Sequence, residues 1–183
     1  MLNLEDIKNE VIEEGYSELK STAIDVAWQR INDGLMTYGD LYFLKNGIYR
    51  VGGYYIDAHP ILKKTGEQVV KGGFAHELGH IVKDIKQTRK EANMDVRRYR
   101  CSRTYFIKDE ICTDLEAINR GFGNEVLEFQ IFRETENNYN GYGITSEQIK
   151  YIISILKDFP FEFTYQDYIN LSRNSNGNGR NRR

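Results

Sequence analysis

The chain has 183 residues, 40% of them hydrophobic and 13% aromatic, enough apolar side chain for one packed domain. Its charges nearly cancel, with a formal net charge of -2 and a pI near 6.0, a balance that points away from nucleic acid as a partner. Two cysteines, Cys101 and Cys112, are too few for a disulfide framework, and no apolar run approaches the roughly 20 residues that span a bilayer, so the expectation is a soluble protein of a reducing compartment, the cytoplasm.

The opening MLNLEDIKNEVIEE is acidic and broken by charges, unlike a signal peptide. Residues 3 to about 33 read as helical with a break at Gly15; in the second part Ile24, Ala27, Trp28 and Ile31 recur at helical spacing. LYFLKNGIYRV, residues 41–51, places two β-rich runs around Asn46-Gly47, a strong hairpin signal. Gly52 and Gly53 then lead into YYIDA, 54–58, a third strand, and His59-Pro60 stops it. Thr65 and Gln68 form a capping box for a helix that carries HELGH and runs to about residue 86. Residues 83–108 are basic. Further helices are expected at 105–119, ending near Gly121, and at 124–135 and 146–157. The last of these is introduced by a second capping box, Thr145 with Gln148, and a hydrophobic staple, Ile144 with Ile149. The elements describe an α+β chain, a small antiparallel sheet or hairpin packed on a mainly helical domain over 1–171. A basic tail, SRNSNGNGRNRR at 172–183, has no apolar residue and is expected to be disordered.

The chemistry concentrates in FAHELGHIV, residues 74–82. His76 and His80 are four apart on the proposed helix, so both imidazoles leave one face, with Glu77 between them. HExxH needs this spacing: two nitrogens converge on one metal ion, and a carboxylate stands beside the water. A catalytic zinc takes a third protein ligand. His59, the remaining histidine, precedes a proline and suits a turn. Downstream, DEICTDLEAINRG offers Asp109, Glu110, Asp114 and Glu116. On a helical wheel Ile107, Ile111, Leu115, Ile118 and Phe122 share one core direction. Glu110 lies about 100° and Asp114 about 60° to one side of it, while Asp109 and Glu116 point roughly opposite and are expected to be solvated. Cys112, across the helix from Glu110, reads as a packing residue.

HExxH followed by a helix bearing ExxxD, here EICTD at 110–114, resembles the gluzincin pattern of zinc metallopeptidases, and the small size and preceding hairpin look most like the soluble minigluzincins. The likeness covers about residues 65–122. It implies a zincin-like metallopeptidase domain with one catalytic Zn²⁺ on His76, His80 and Glu110, Glu77 as general base, and Asp114 hydrogen-bonded to His76. It also implies a downstream donor for the oxyanion, for which Tyr139, Tyr142 and Arg120 are candidates. The substrate would be a peptide or protein, and the YYIDA strand could add an extended peptide along its edge. The alternative is a catalytically silent or autoinhibited metal-site domain. Its cleft would be held by its own tail or a partner, and its basic stretch 83–108 and Arg-rich tail would serve protein or nucleic-acid binding.

Overall fold

The computed structural model describes residues 2–32, 34–45, 48–136, 143–158 and 161–177. Asn3 starts helix α1 (Leu4–Gly15) by accepting from the Glu5 amide, and Leu4, Ile7, Val11 and Ile12 give the helix one buried face. The helix expected to continue towards residue 33 does not form. After a short 3-10 turn, Ser17–Leu19, residues Ile24–Trp28 make strand β1. Ile24, Ala27 and Trp28 fit a helical period, but Ile24, Val26 and Trp28 fit a period of two. The alternation is what the fold uses, with Ile24 buried and Asp25 and Ala27 exposed. In so short a run the partner decides, and the partner is a strand 30 residues on: Ile24 pairs with Tyr54.

β2 (Met36–Lys45) and β3 (Ile48–Ala58) form the expected antiparallel hairpin, in register from Lys45 with Ile48 to Met36 with Ala58. Its turn residues, Asn46 and Gly47, lie outside the described residues. Gly52 and Gly53 do not separate two strands. Leu41 pairs with Gly53 and Tyr42 with Val51, so Gly52 is the extra residue of a bulge and YYIDA is the second half of β3. The strand order is β1-β3-β2, with β1 parallel to β3. The sheet is therefore mixed rather than antiparallel, and β3 is its centre. YYIDA, paired on both sides, has no open edge, whereas among the described residues β2 is paired on one side.

His59 serves the next turn, Pro60–Lys64, its Nδ1 accepting from the Ile61 amide at 3.2 Å. Thr65 does not cap α2 (Glu67–Lys86). Its hydroxyl donates to the Leu62 carbonyl at 2.8 Å, and Gly66 takes the N-cap place. From Val70 to Val82 every residue of α2 is buried, because the helix is covered on several sides. The tightest of these contacts is with α5 (Gly123–Thr135). A Cβ built on Gly72 would lie 2.0 Å from the Glu125 carbonyl oxygen and 2.9 Å from Phe129 Cβ.

Between them run α3 (Arg89–Cys101), opened by a Thr88–Glu91 capping box, and α4 (Arg103–Ala117), opened by Ser102. α4 passes into α5 through a π turn, Ile118–Phe122, where Gly121 has φ +100°. The capping box of Thr145 and Gln148 forms in both directions ahead of α6 (Ser146–Asp158), and Ile144 and Ile149 are both fully buried, as a staple requires. α7 (Tyr165–Gly177) extends six residues into the stretch expected to be disordered, 172–183; residues 178–183 lie outside the described residues. The architecture is α+β. Among the described residues no helix is long and apolar enough to cross a membrane.

Two outcomes test this packing. Gly72→Ala should lose about 1–3 kcal/mol in urea unfolding, overpacking against α5 outweighing a helix-propensity gain of about 1 kcal/mol; an unshifted midpoint would mean that α2 and α5 can separate. Glu134 ties α5 to α6 by accepting from the Ser146 amide (2.9 Å) and hydroxyl (2.6 Å). Burial raises its pKa, but the bonds from Ser146 outweigh that and leave it below the ordinary value. A depressed carboxyl stabilises the fold above its unfolded pKa, about 4.3, and loses that contribution as pH falls through the folded value. Glu134→Gln should therefore be less stable than wild type at pH 7 and converge with it below about pH 4.

Candidate metal centre

One turn of α2 separates His76 from His80, and the two Nε2 atoms stand 3.2 Å apart. α4 crosses that face and brings in Glu110, with Oε2 3.5 Å from His76 Nε2 and Oε1 3.4 Å from His80 Nε2. Ligand atoms about 2.1 Å from a tetrahedrally coordinated ion lie about 3.4 Å from one another. The three donors already have that spacing, so the donor set fits a metal ion both chemically and in size. They are also the group whose atoms lie within 4.8 Å of one another among the described residues. The wheel placed Glu110 and Asp114 on one side of α4, and α4 turns that side towards α2.

Each histidine is held from behind through its other nitrogen. With Nε2 directed at the donor cluster, Nδ1 of His76 carries the proton and donates to Asp114 Oδ1 at 2.8 Å. Asp114 Oδ2 accepts from the Ile144 amide at 3.0 Å. The chain can pass this close because residue 143 is glycine: its φ is +91°, and a Cβ there would lie 2.8 Å from Asp114 Oδ2. His80 Nδ1 donates to the Thr113 hydroxyl at 3.3 Å, which itself donates to the Asp109 carbonyl at 3.0 Å; a carboxylate oxygen of Asp109 is 3.6 Å from the same nitrogen. The expectation that Asp109 is solvated is thus wrong. It is buried, paired with Lys83 and hydrogen-bonded by the Tyr99 hydroxyl, because α3 covers that side of α4 and gives it a second, polar interface. Glu116 keeps partial exposure and pairs with Arg120. Tyr38, on the edge strand β2, stacks its ring on His80 with centroids 5.2 Å apart and donates to Asp84 at 3.0 Å.

The donors open into a cleft of about 260 Å³, with Met36 and Tyr38 of β2 on one side and Phe129 and Arg133 of α5 on another. Glu77 also lines it, while remaining 7% exposed. Burial pushes the Glu77 carboxyl above its ordinary pKa, against the pull of His76 and His80. For His76, burial works against protonation, but the Asp114 hydrogen bond and charge outweigh it and raise the pKa well above the usual imidazole range. Glu110 is the mirror case: burial would raise it, and hydrogen bonds from His76 and His80 hold it well below the carboxylate range.

Of the other sequence candidates, Arg120 is elsewhere. Its guanidinium pairs with Glu18 at 2.7 Å and Glu116 at 2.8 Å and lies 4.3 Å above the Tyr16 ring. Tyr139 and Tyr142 lie outside the described residues. Cys112 is half-buried, with a free thiol that burial raises, and it has no part in the donor cluster. No described residue after Arg133 lines the cleft, so the described part of α7 does not fill it. Asp109, Thr113, Tyr38 and Arg133 are the site residues that sequence reasoning missed. Only the i, i+4 pair Asp109 and Thr113, flanking the ExxxD face, carried a local signal.

Metal analysis checks this geometry. Wild-type protein should retain about one equivalent of divalent metal, Glu110→Ala close to none, and Asp114→Asn should bind about 10–100-fold more weakly in chelator competition. Wild-type protein without metal affinity would refute the site. Compared with family models, with curated proteins and with solved structures, the chain finds no match in any of the three.

Proposed function

We propose that the protein is a zinc-dependent metallopeptidase of the gluzincin type. The observation that carries this reading is the triangle of His76, His80 and Glu110 donor atoms, 3.2, 3.5 and 3.4 Å on its sides, with the Glu77 carboxylate beside it in the same cleft. Two imidazoles and a carboxylate are a catalytic zinc set, which leaves a coordination position open. A purely structural zinc would take a fourth protein ligand and would have no use for Glu77. The same donors also serve non-haem iron, and metal identity separates the two.

When bound, zinc polarises a carbonyl and brings the pKa of water down towards ~7. The protein supplies the rest. Glu77, raised by burial, accepts a proton from the attacking water and passes it to the leaving amine, so that a C–O bond forms and the C–N bond breaks. Asp114 and Thr113 fix the two imidazoles with Nε2 forward. Substrate binding is supported by β2, which among the described residues pairs only with β3 and runs along the cleft from Met36 to Tyr38, leaving an edge for an extended peptide.

Glu77→Gln should keep the metal and lose at least about 10²–10⁴-fold in cleavage of an unstructured protein. Cleavage at the wild-type rate, with zinc bound in both proteins, would overturn the mechanism.

A further inference from the structure

The proton route just assigned to Glu77 also locates the leaving-group side of the cleft. Glu77 protonates the departing amine, so the residue carrying that amine sits beside Glu77 rather than beyond it. One turn earlier on the same face of α2 is Gly73. A Cβ there would meet Met36 Cε at 2.9 Å and Phe129 Cε2 at 3.2 Å, so these two apolar side chains close over the helix at that point and bound the cleft on that side. Arg133 stands one turn of α5 past Phe129, half-buried, its guanidinium 5.7 Å from the Phe129 ring and donating to Gln130 Oε1 at 3.4 Å. Of the described residues lining the cleft it is the one Lys or Arg; the other full charges there are the acids Glu77 and Glu110. Its charge also reaches the Glu77 carboxylate, which it stabilises.

We propose that Arg133 is a specificity residue that selects substrates whose leaving-group residue presents a carboxylate, either an acidic side chain or the free C-terminus. The proposal deepens the peptidase reading and rests on it for the direction in which the peptide lies. A carboxylate entering along Met36 and Phe129 meets the one Lys or Arg among the described lining residues, a planar guanidinium of the kind that recognises carboxylates by charge-assisted hydrogen bonds.

The test uses four peptides of one unstructured sequence. Two differ in the leaving-side residue, Glu or Gln; two end at that residue as free acid or amide. With zinc-loaded wild type, the Glu or the free-acid peptide should be favoured about tenfold or more in kcat/KM, chiefly through KM, and the arm that shows the ratio names the source of the carboxylate. Arg133→Gln should bring the ratio near one, and Arg133→Glu should prefer a fifth peptide carrying Lys. A wild-type ratio near one in both arms, or a ratio that survives in Arg133→Gln, overturns the proposal. Binding separates this outcome from failure of the peptidase reading. The same peptides are titrated by fluorescence anisotropy onto zinc-loaded Glu77→Gln protein and onto its Arg133→Gln double variant. Carboxylate peptides that bind about tenfold more tightly only when Arg133 is present uphold the proposal even if nothing is cleaved, and equal binding by all four overturns it even if cleavage is brisk.

Discussion

Asp114 is the residue on which the arrangement turns. One of its oxygens holds His76 at 2.8 Å and the other holds the Ile144 amide at 3.0 Å. The first bond aims the imidazole at the donor cluster; the second ties the beginning of α6 to α4. Holding three donors facing one another across 3.2–3.5 Å requires that their backbones be fixed from outside. The fixing comes from the close approach of α2 to α4 and α5. Gly79 sits against Thr113 and Gly72 against the Glu125 carbonyl, so that α2 is clamped on both sides of His76. Tyr16 adds a third restraint from α1, its buried hydroxyl donating to the Ala75 carbonyl at 2.6 Å, one residue before the first histidine.

What could be read from the amino-acid order was whatever depends on spacing within one element. His76, Glu77 and His80 share a face because a helix repeats every 3.6 residues, and Glu110 and Asp114 share one for the same reason. That these two faces meet is a tertiary fact, and local spacing only makes it possible. The hairpin, the second capping box and helices α5 and α6 were legible for similar local reasons, whereas α7 was not, its last six residues falling in the stretch expected to be disordered. β1 was not. Its five residues satisfy two periodicities, and the choice was made by hydrogen-bonding capacity on β3, far away in the chain. Thr65 shows the same weakness at a smaller scale. A capping pattern is a statement about available side chains, and the preceding turn claimed this one first.

The wheel failed at Asp109 for a different reason. It assumes one apolar interface per helix, whereas α4 has two: an apolar one towards the core and a polar one beneath α3. None of the described side chains of α3 is buried. The helix is anchored instead by Asp95, which bonds Lys83, Gln87 and Tyr105, and by Tyr99, which reaches Asp109 and lines the cleft. Asp109 in turn stands 3.6 Å from His80. A solvent-rich set of ionic contacts is thereby joined, in two steps, to a histidine of the donor triangle.

The glycine at 143 carries a consequence for how this fold can vary. Backbone must arrive within touching distance of Asp114 at one place, in a conformation that side-chain-bearing residues rarely adopt, and then deliver an amide at the very next position. The stretch leading to it can change in length or composition only if that arrival point is preserved. Natural insertions should therefore be excluded from the joint ahead of α6.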